Sequence, residues 1–298
     1  RTQRTLLNAN RKLKKLETIK SKFRKFLDKF LKVNSTTTKP VIKSRTLVWL
    51  GEEIHKINCE QNILFIHGFG GDLNNWMFNQ SELSNKFNTY AIDLPGHGKS
   101  SGKLISSISG FSDQVFKLLD NNSVKKCSIV GHSMGSLIAL EMASSQPHRV
   151  KSMSLIGTAY PMQVNDQLLE FAKSDVQKAI DILTFMGYSH QARIGRNKNP
   201  GIWMTESTRR LMQQSKKGVI YNDLLACSNF KGGLEKAKKV TAKVQLILGS
   251  NDYLTPTRKA VDLIDSFKNP DVKQIADSGH TLMAEDPNKV LDYLIEVL

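Results

Sequence analysis

Short apolar runs alternate with longer stretches of helical periodicity from about residue 46 to the end of the chain. This rhythm predicts an α/β protein whose mostly parallel sheet is flanked by helices on both faces. Eight runs have the length of a strand, and the first two predict a hairpin around Gly51. The predicted strands cover residues 46–50, 54–57, 63–66, 89–92, 127–130, 152–156, 244–248 and 272–275.

The alternation breaks between residues 163 and 239, where no convincing strand pattern occurs. Helical patterns fill this segment instead, at 166–172, 175–185, 205–215 and 221–227. We interpret residues 163–239 as a helical cap inserted between two strands, with residues 46–162 and 240–298 forming the core.

The first 33 residues form a separate basic region. They contain twelve Lys or Arg residues against Glu17 and Asp28, and their spacing predicts an amphipathic helix. The helix would lie on an anionic membrane surface, or pack on the core or on a second subunit. Residues 34–45 read as a linker because short polar residues and Pro40 end the periodicity. The apolar stripe consists of Leu6, Ala9, Leu13, Leu16, Phe23, Leu27 and Phe30.

The location of the charge changes what it implies. The chain has a net charge of +16, of which the first 33 residues supply +10 and the other 265 only +6. No nucleic-acid recognition module or interleaved stacking aromatics accompany the basic residues, which argues against nucleic-acid binding. No apolar stretch is long enough to span a membrane, and the three widely spaced cysteines suggest neither disulfides nor zinc. We therefore expect a cytoplasmic protein without a secretory signal, peripheral to a membrane if the basic helix binds lipid.

A candidate nucleophile lies in residues 131–135, Gly-His-Ser-Met-Gly. The motif follows an apolar run that ends at Val130 and precedes a predicted helix. Glycines on both sides allow a tight strand-to-helix turn that exposes the Ser133 hydroxyl. The Met134 amide, at the start of the helix, is placed to donate to an oxyanion.

A second oxyanion donor requires another loop near the nucleophile. Residues 67–71, His-Gly-Phe-Gly-Gly, follow a predicted strand, and we assign this donor to the backbone amide of Phe69. These glycines also fit a tight turn whose loop is held by hydrogen bonds of His67, and the two interpretations are compatible.

A serine nucleophile needs a base and a carboxylate that orients the base. His280 follows the last predicted strand, and Asp252 follows the one before it, so both are expected at the same sheet edge as Ser133. Asp93 and His97 are interpreted as structural residues of a turn. The order Ser133, Asp252, His280 is that of the α/β-hydrolase triad.

On these motifs the sequence resembles the α/β-hydrolase superfamily, in its branch of cap-bearing esterases and hydrolases. The resemblance spans about residues 46–298 and rests on His-Gly-x-Gly at 67–70, Asp-x-Pro-Gly-His-Gly-x-Ser at 93–100, Gly-x-Ser-x-Gly at 131–135, Gly-x-x-Asp at 249–252 and Gly-His at 279–280. It implies an eight-stranded sheet, a cap between strands six and seven, and acyl chemistry without a cofactor. Haloalkane dehalogenases and epoxide hydrolases of this fold carry aspartate in place of Ser133, which argues against both activities.

The sequence thus predicts a serine esterase that needs no metal and acts on a small to medium apolar acyl group. An acyl-thioester or carbon–carbon bond hydrolase would use the same triad. A membrane-associated binding module without catalysis is the alternative from another class. The sequence indicates no oligomeric state. Candidate substrate-binding residues are Phe69, Phe185, Met186, Trp203, Met204, Met212 and Tyr221.

Overall fold

A computed structural model of the protein describes residues 45–47, 61–196, 198 and 203–298, with side chains from Gln61 onward. Lys43–Leu298 form one compact unit. The other unit, Arg1–Ile42, lies outside the described residues, together with the predicted basic helix, most of the linker and the predicted strand at 54–57.

Seven strands of the described residues form one sheet. They are β1 (Arg45–Leu47), β2 (Asn62–Ile66), β3 (Asn88–Ile92), β4 (Cys127–His132), β5 (Val150–Ile156), β6 (Lys243–Gly249) and β7 (Asp271–Ile275). Their order is β1-β3-β2-β4-β5-β6-β7, and every neighbouring pair is parallel. This confirms the predicted α/β class with its parallel sheet. The count of eight strands stays a prediction, because the turn at Gly51 and residues 54–57 are not described.

Helices cover both faces of the sheet, as parallel strands require of their crossover connections. Those outside the segment between β5 and β6 are α1 (Met77–Leu83), α2 (Ile108–Asn121), α3 (Met134–Ser145), α10 (Val261–Ser266), α11 (Leu282–Glu285) and α12 (Pro287–Val297). Short 3-10 turns occupy Leu73–Trp76, Pro147–Arg149 and Thr257–Lys259. None of the helices in the described part is long and apolar enough to cross a membrane.

Two apolar clusters form the core, one on each face of the sheet. Successive side chains of a strand point to opposite faces, so Leu64 and Ile66 of β2 join the cluster that contains α2 and α3. Ile63 and Phe65 join the cluster that contains Leu294 of α12. Burial on both faces explains why β2 has an uninterrupted apolar run rather than an alternating pattern.

In the described part of the chain, six helices follow β5 and precede β6. They are α4 (Asp166–Ser174), α5 (Val176–Gly187), α6 (His190–Arg193), α7 (Met204–Gln213), α8 (Val219–Asn229) and α9 (Gly233–Lys238), and we call residues 166–238 the cap segment. Side-chain oxygens cap three helix starts: Asn165 accepts from the Leu168 amide at 2.8 Å, Asp175 from the Lys178 amide at 3.2 Å and Ser189 from the Ala192 amide at 3.3 Å. The cap segment has its own apolar cluster, against which Phe69 of the core packs.

Candidate active site

Ser133 occupies a strained turn between β4 and α3. Its φ is 52° and its ψ −118°, an unusual conformation for a residue with a side chain. The turn is crowded: a Cβ added to Gly131 would lie 2.2 Å from the carbonyl oxygen of Gly135, and one added to Gly135 would lie 2.3 Å from that of Ile66. Only glycine fits at both positions, which is the physical reason for the Gly-x-Ser-x-Gly spacing.

Replacing Gly131 by Ala is therefore expected to lower the free energy of unfolding by about 3 kcal/mol or more, because backbone atoms must move to accept the Cβ. Gly187→Ala is the matched control, since a Cβ there would meet its nearest neighbour at an ordinary 3.6 Å. Urea unfolding of both variants measures the difference. Equal unfolding midpoints for the two variants would contradict the crowded turn.

Asp252 and His280 are in direct contact at the carboxyl ends of β6 and β7. Nδ1 of His280 lies 2.8 Å from Oδ2 of Asp252, and both side chains are buried. Oδ1 of Asp252 accepts from the amides of Leu254 and Thr255 at 2.8 and 2.7 Å. The carboxylate is thus fixed by a local turn, and it favours the imidazole tautomer with the proton on Nδ1.

The surroundings keep Asp252 ionised. Burial by itself would raise the pKa of the carboxyl group, but His280 and the hydrogen bonds from Thr255 outweigh burial and lower the pKa to about 2. The Asp252 carboxylate is consequently negative at neutral pH and stabilises positive charge on His280.

Nε2 of His280 is buried and has no hydrogen-bond partner among the described residues, the Ser133 hydroxyl included. Ser133 nevertheless lies at the same end of the sheet as His280, because both adjoin the end of β5. The Ser133 amide donates to the Ile156 carbonyl at 3.0 Å, and a Cβ on the next residue, Gly157, would lie 3.1 Å from Nδ1 of His280. The structure therefore pairs Asp252 with His280 and brings Ser133 to the same sheet edge, without a hydrogen bond between Ser133 and His280.

The loop of residues 67–71 passes directly beside Ser133. A Cβ on Gly68 would lie 3.1 Å from the Cβ of Ser133. Nδ1 of His67 donates to the Gly68 carbonyl at 2.8 Å, while Nε2 accepts from the Leu94 amide at 3.1 Å, so His67 holds the loop as a neutral imidazole. Burial and the neighbouring His97 lower the pKa of His67 well below its usual value, in agreement with that assignment.

Two backbone donors at this edge are unused. Within the described ranges, the amide N–H groups of Phe69 and Met134 donate to no acceptor. Unpaired donors beside a buried hydroxyl are what an oxyanion site requires.

Sequence reasoning missed two further residues at the site. Thr255 donates from Oγ1 to Asp252 at 2.7 Å and lies 3.1 Å from Nδ1 of His280. Its signal is the Asp-x-x-Thr spacing, because an aspartate commonly accepts from groups two or three residues later. His132 donates from Nε2 to the carbonyl of His280 at 2.9 Å, and burial, aided by His280, lowers the pKa of His132 to about 3. It therefore supports the loop that carries His280 as a neutral ring.

A cavity of about 30 Å³ adjoins His280, with Phe69, Leu183, Leu211, Met212 and Leu254 among its walls. A cleft of about 370 Å³ lies next to it, bounded by Phe78, Met204 and Met283. The cavity and the cleft share the wall residues Asn75, Tyr188, Thr208, Leu211 and Thr281.

The predicted pocket residues divide among these spaces. Phe69 and Met212 border the cavity beside His280, Met204 borders the adjacent cleft, and Tyr221 borders a separate pocket in the cap segment. Phe185 and Trp203 are 64% and 72% exposed, the partly buried Met186 does not border the cavity, and their role in substrate binding stays a prediction. Helical periodicity accounts for these positions, since Leu183 and Gly187 of α5 face the cavity and residues midway between them point elsewhere.

Among the described residues, no three His, Cys, Asp or Glu side chains converge to hold a metal ion.

The sequence matches the family model described as alpha/beta hydrolase fold over residues 61–287, which is more than half of the 298-residue chain. The chain belongs to the α/β-hydrolase fold family. The resemblance predicted from the five motifs is thereby confirmed. Ser133, Asp252 and His280 all lie within the matched residues.

Individual α/β-hydrolase relatives are more distant. The chain is 42% identical over 100 residues to the dihydrolipoyllysine-residue acetyltransferase component of the acetoin cleaving system of Cupriavidus necator, covering 32% of this chain and 26% of that protein. It therefore spans about a quarter of that relative's length. A protein of Mycoplasma pneumoniae named putative esterase/lipase 2 is 24% identical, covering 80% of this chain and 88% of the relative.

Among solved structures, the enol-lactonase from Burkholderia xenovorans LB400 superposes with a TM-score of 0.73 and 17% identity, covering 83% of this chain and 94% of that one. At this identity the likeness shows the fold alone.

Proposed function

We propose that the protein is a serine hydrolase that cleaves carboxylic esters of small to medium apolar acyl groups through an acyl-enzyme on Ser133. The observation that carries the proposal is the state of His280. Its Nδ1 is tied to the Asp252 carboxylate, while its buried Nε2 has no partner in the described part of the chain. Such a nitrogen is available to take a proton from a hydroxyl.

In the first half of the reaction, Oγ of Ser133 attacks the ester carbonyl carbon and its proton passes to Nε2 of His280. The carbonyl oxygen becomes negative and accepts hydrogen bonds from the free amides of Phe69 and Met134. Nε2 then returns the proton to the departing alkoxide, the carbon–oxygen bond breaks, and the acyl group remains on Ser133.

In the second half, water attacks the acyl-enzyme and gives a proton to the same nitrogen. The acid is released as the proton returns to Oγ of Ser133. The Asp252 carboxylate stabilises the imidazolium form of His280 at both stages and stays ionised throughout, in line with its lowered pKa.

The size of the acyl group follows from the space beside His280. A volume of about 30 Å³ accommodates only a short chain unless side chains move, while the adjoining cleft of about 370 Å³ would accept a longer one. Leu211 lies in the wall between the two. Wild-type protein is therefore expected to prefer p-nitrophenyl butyrate over p-nitrophenyl octanoate.

Replacing Leu211 by Ala is expected to raise the octanoate-to-butyrate ratio of kcat/KM by about tenfold, because shortening this side chain opens the cavity toward the cleft. Steady-state kinetics on the p-nitrophenyl ester series measures the ratio. Leu169→Ala is the control, since Leu169 packs against the cap cluster but borders neither space. An unchanged ratio in Leu211→Ala would reject the proposed path of the acyl chain.

The same series separates the ester from its alternatives. Turnover of a butyryl thioester without turnover of the butyryl oxygen ester would replace the ester assignment by a thioester assignment. Turnover of neither, by protein that is folded, would reject the proposed function.

A further inference from the structure

A buried ion pair joins the cap segment to the core at a distance from the triad. Nε2 of His97, in the loop after β3, lies 2.7 Å from Oδ2 of Asp223 on α8, and the two side chains are 1% and 0% exposed. The residues are 126 positions apart in the chain. A fully buried carboxylate is costly without such a partner, so the contact fixes α8 against this loop.

Both ring nitrogens of His97 face acceptors, since Nδ1 lies 3.2 Å from the Pro95 carbonyl and Nε2 faces Asp223. A neutral imidazole has one N–H and satisfies only one of these contacts, whereas the imidazolium satisfies both. Burial alone would lower the pKa of His97, but Asp223, the Pro95 carbonyl and Asp93 together outweigh burial and raise the pKa.

The other titratable groups around His97 are compatible with a positive charge on its ring. Its ring lies 4.9 Å from that of the neutral His67, and Asp93 adds a favourable negative charge. The surroundings of His97 therefore favour the imidazolium form over the neutral ring.

The Asp223 carboxylate also reaches the loop beside the nucleophile. The same Oδ2 accepts from the amide of Gly70 at 2.9 Å. On the cap segment, Ser215 donates to the Gly70 carbonyl at 3.2 Å, and a Cβ on Gly70 would lie 3.2 Å from Ile220. Gly70 is thus held by the cap segment on both of its peptide groups.

Phe69 lies between two peptide units that are both fixed. The unit after it contains the Gly70 amide held by Asp223. The unit before it contains the Gly68 carbonyl, which accepts from His67 at 2.8 Å and from the Gly71 amide at 3.2 Å. The Phe69 N–H belongs to the planar Gly68–Phe69 unit, so the contacts of the Gly68 carbonyl set its direction. The Asp223 contact fixes the following unit and so restricts the φ and ψ rotations of Phe69 that would turn this N–H away.

We propose that Asp223 is a positioning residue of the active site: with its charge balanced by His97, it fixes the Phe69–Gly70 peptide and thereby aims the Phe69 amide at the oxyanion. The inference rests on the proposed function. The cap segment then acts in catalysis by setting the geometry of the oxyanion site, in addition to bordering the substrate cavity.

The test is the substitution Asp223→Asn, which keeps the shape of the side chain but removes the charge that balances His97. We expect kcat for p-nitrophenyl butyrate to fall by about tenfold to a hundredfold with KM changed by less than about threefold, because the lost interaction acts on the transition state. Values are taken per active site after fluorophosphonate titration, at a temperature where circular dichroism shows the variant folded.

The matched control is Asp181→Asn, which breaks an ion pair with Arg209 inside the cap segment without touching the loop of residues 67–71. Its kcat is expected within about twofold of wild type. A rescue variant combines His97→Gln with Asp223→Asn and restores a neutral donor facing a neutral acceptor. We expect the double variant to recover part of the kcat lost in Asp223→Asn, which would demonstrate coupling between the two residues.

An unchanged kcat in Asp223→Asn, even with a lower melting temperature, would overturn the proposal and leave the pair a purely structural contact. If Asp223→Asn does not fold, His97→Gln alone carries the test, because it leaves the Asp223 charge unbalanced. An unchanged kcat in that variant would overturn the proposal equally. Failure of the proposed function would be distinguishable, since the wild-type protein itself would then show no ester turnover.

Discussion

Ser133→Ala is expected to lower kcat for p-nitrophenyl butyrate by about ten-thousandfold or more, with little change in KM. Without Oγ no acyl-enzyme forms, and the remaining groups only polarise the ester for direct attack by water. The loss should be that large because Ser133 and His280 act as a unit, so removing one makes the other ineffective. Steady-state kinetics at neutral pH on freshly purified protein measures it.

The matched control for this substitution is Ser112→Ala. Ser112 is also a buried serine, but it lies on α2 and its hydroxyl has no partner among the described residues. Its replacement should leave kcat and stability nearly unchanged. A Ser133→Ala protein that keeps more than about one percent of wild-type kcat would exclude Ser133 as the nucleophile.

Asp252→Asn is expected to lower kcat by about a thousandfold to ten-thousandfold. An amide in place of the carboxylate does not stabilise the imidazolium form of His280, and it offers an N–H where Nδ1 has its own proton. The ring then favours the tautomer with the proton on Nε2, which is unable to accept from Ser133. Asp265→Asn, an exposed aspartate after β6, is the control and should retain wild-type kcat.

The same variant has a second readout in the dependence of stability on pH. The folded pKa of Asp252, about 2, lies below its usual value of 3.8, so the carboxylate stabilises the fold above pH 3.8, and this contribution is lost as the pH falls toward 2. The free energy of unfolding of the wild type should therefore fall by about 2 kcal/mol more than that of Asp252→Asn over this interval. Parallel urea titrations of the two proteins would contradict the lowered pKa if their difference stayed constant with pH.

The sequence was sufficient where the determinants are local. The steric reason for Gly131 is local, because a Cβ there would meet the carbonyl of Gly135 within the same motif, whereas Gly135 is crowded by the Ile66 carbonyl of β2, a contact that only the fold shows. Asp252 and His280 could be assigned because parallel strands place their carboxyl ends at one edge of the sheet. Residues that directly follow such strands are therefore expected to lie near one another. The interpretation of Asp93 as a turn residue rests on the same logic, and its carboxylate does accept from the amides of Leu73 and Lys99.

The sequence was insufficient to predict contacts that depend on packing between distant segments. Asp223 has the pattern of any polar residue on an amphipathic helix, and only the fold reveals that α8 places it against His97 and Gly70. Composition likewise indicated apolar residues in the cap segment without indicating which helix faces point inward. Phe185 was therefore chosen from α5, although Leu183 and Gly187 are the residues that border the cavity.

The most direct test of the proposed nucleophile is mass spectrometry of the wild-type protein after reaction with a fluorophosphonate. The account predicts one covalent adduct per chain, located by peptide mapping on Ser133 and absent from His280→Ala, which lacks the base. No adduct on folded protein, or an adduct on a different residue, would contradict it.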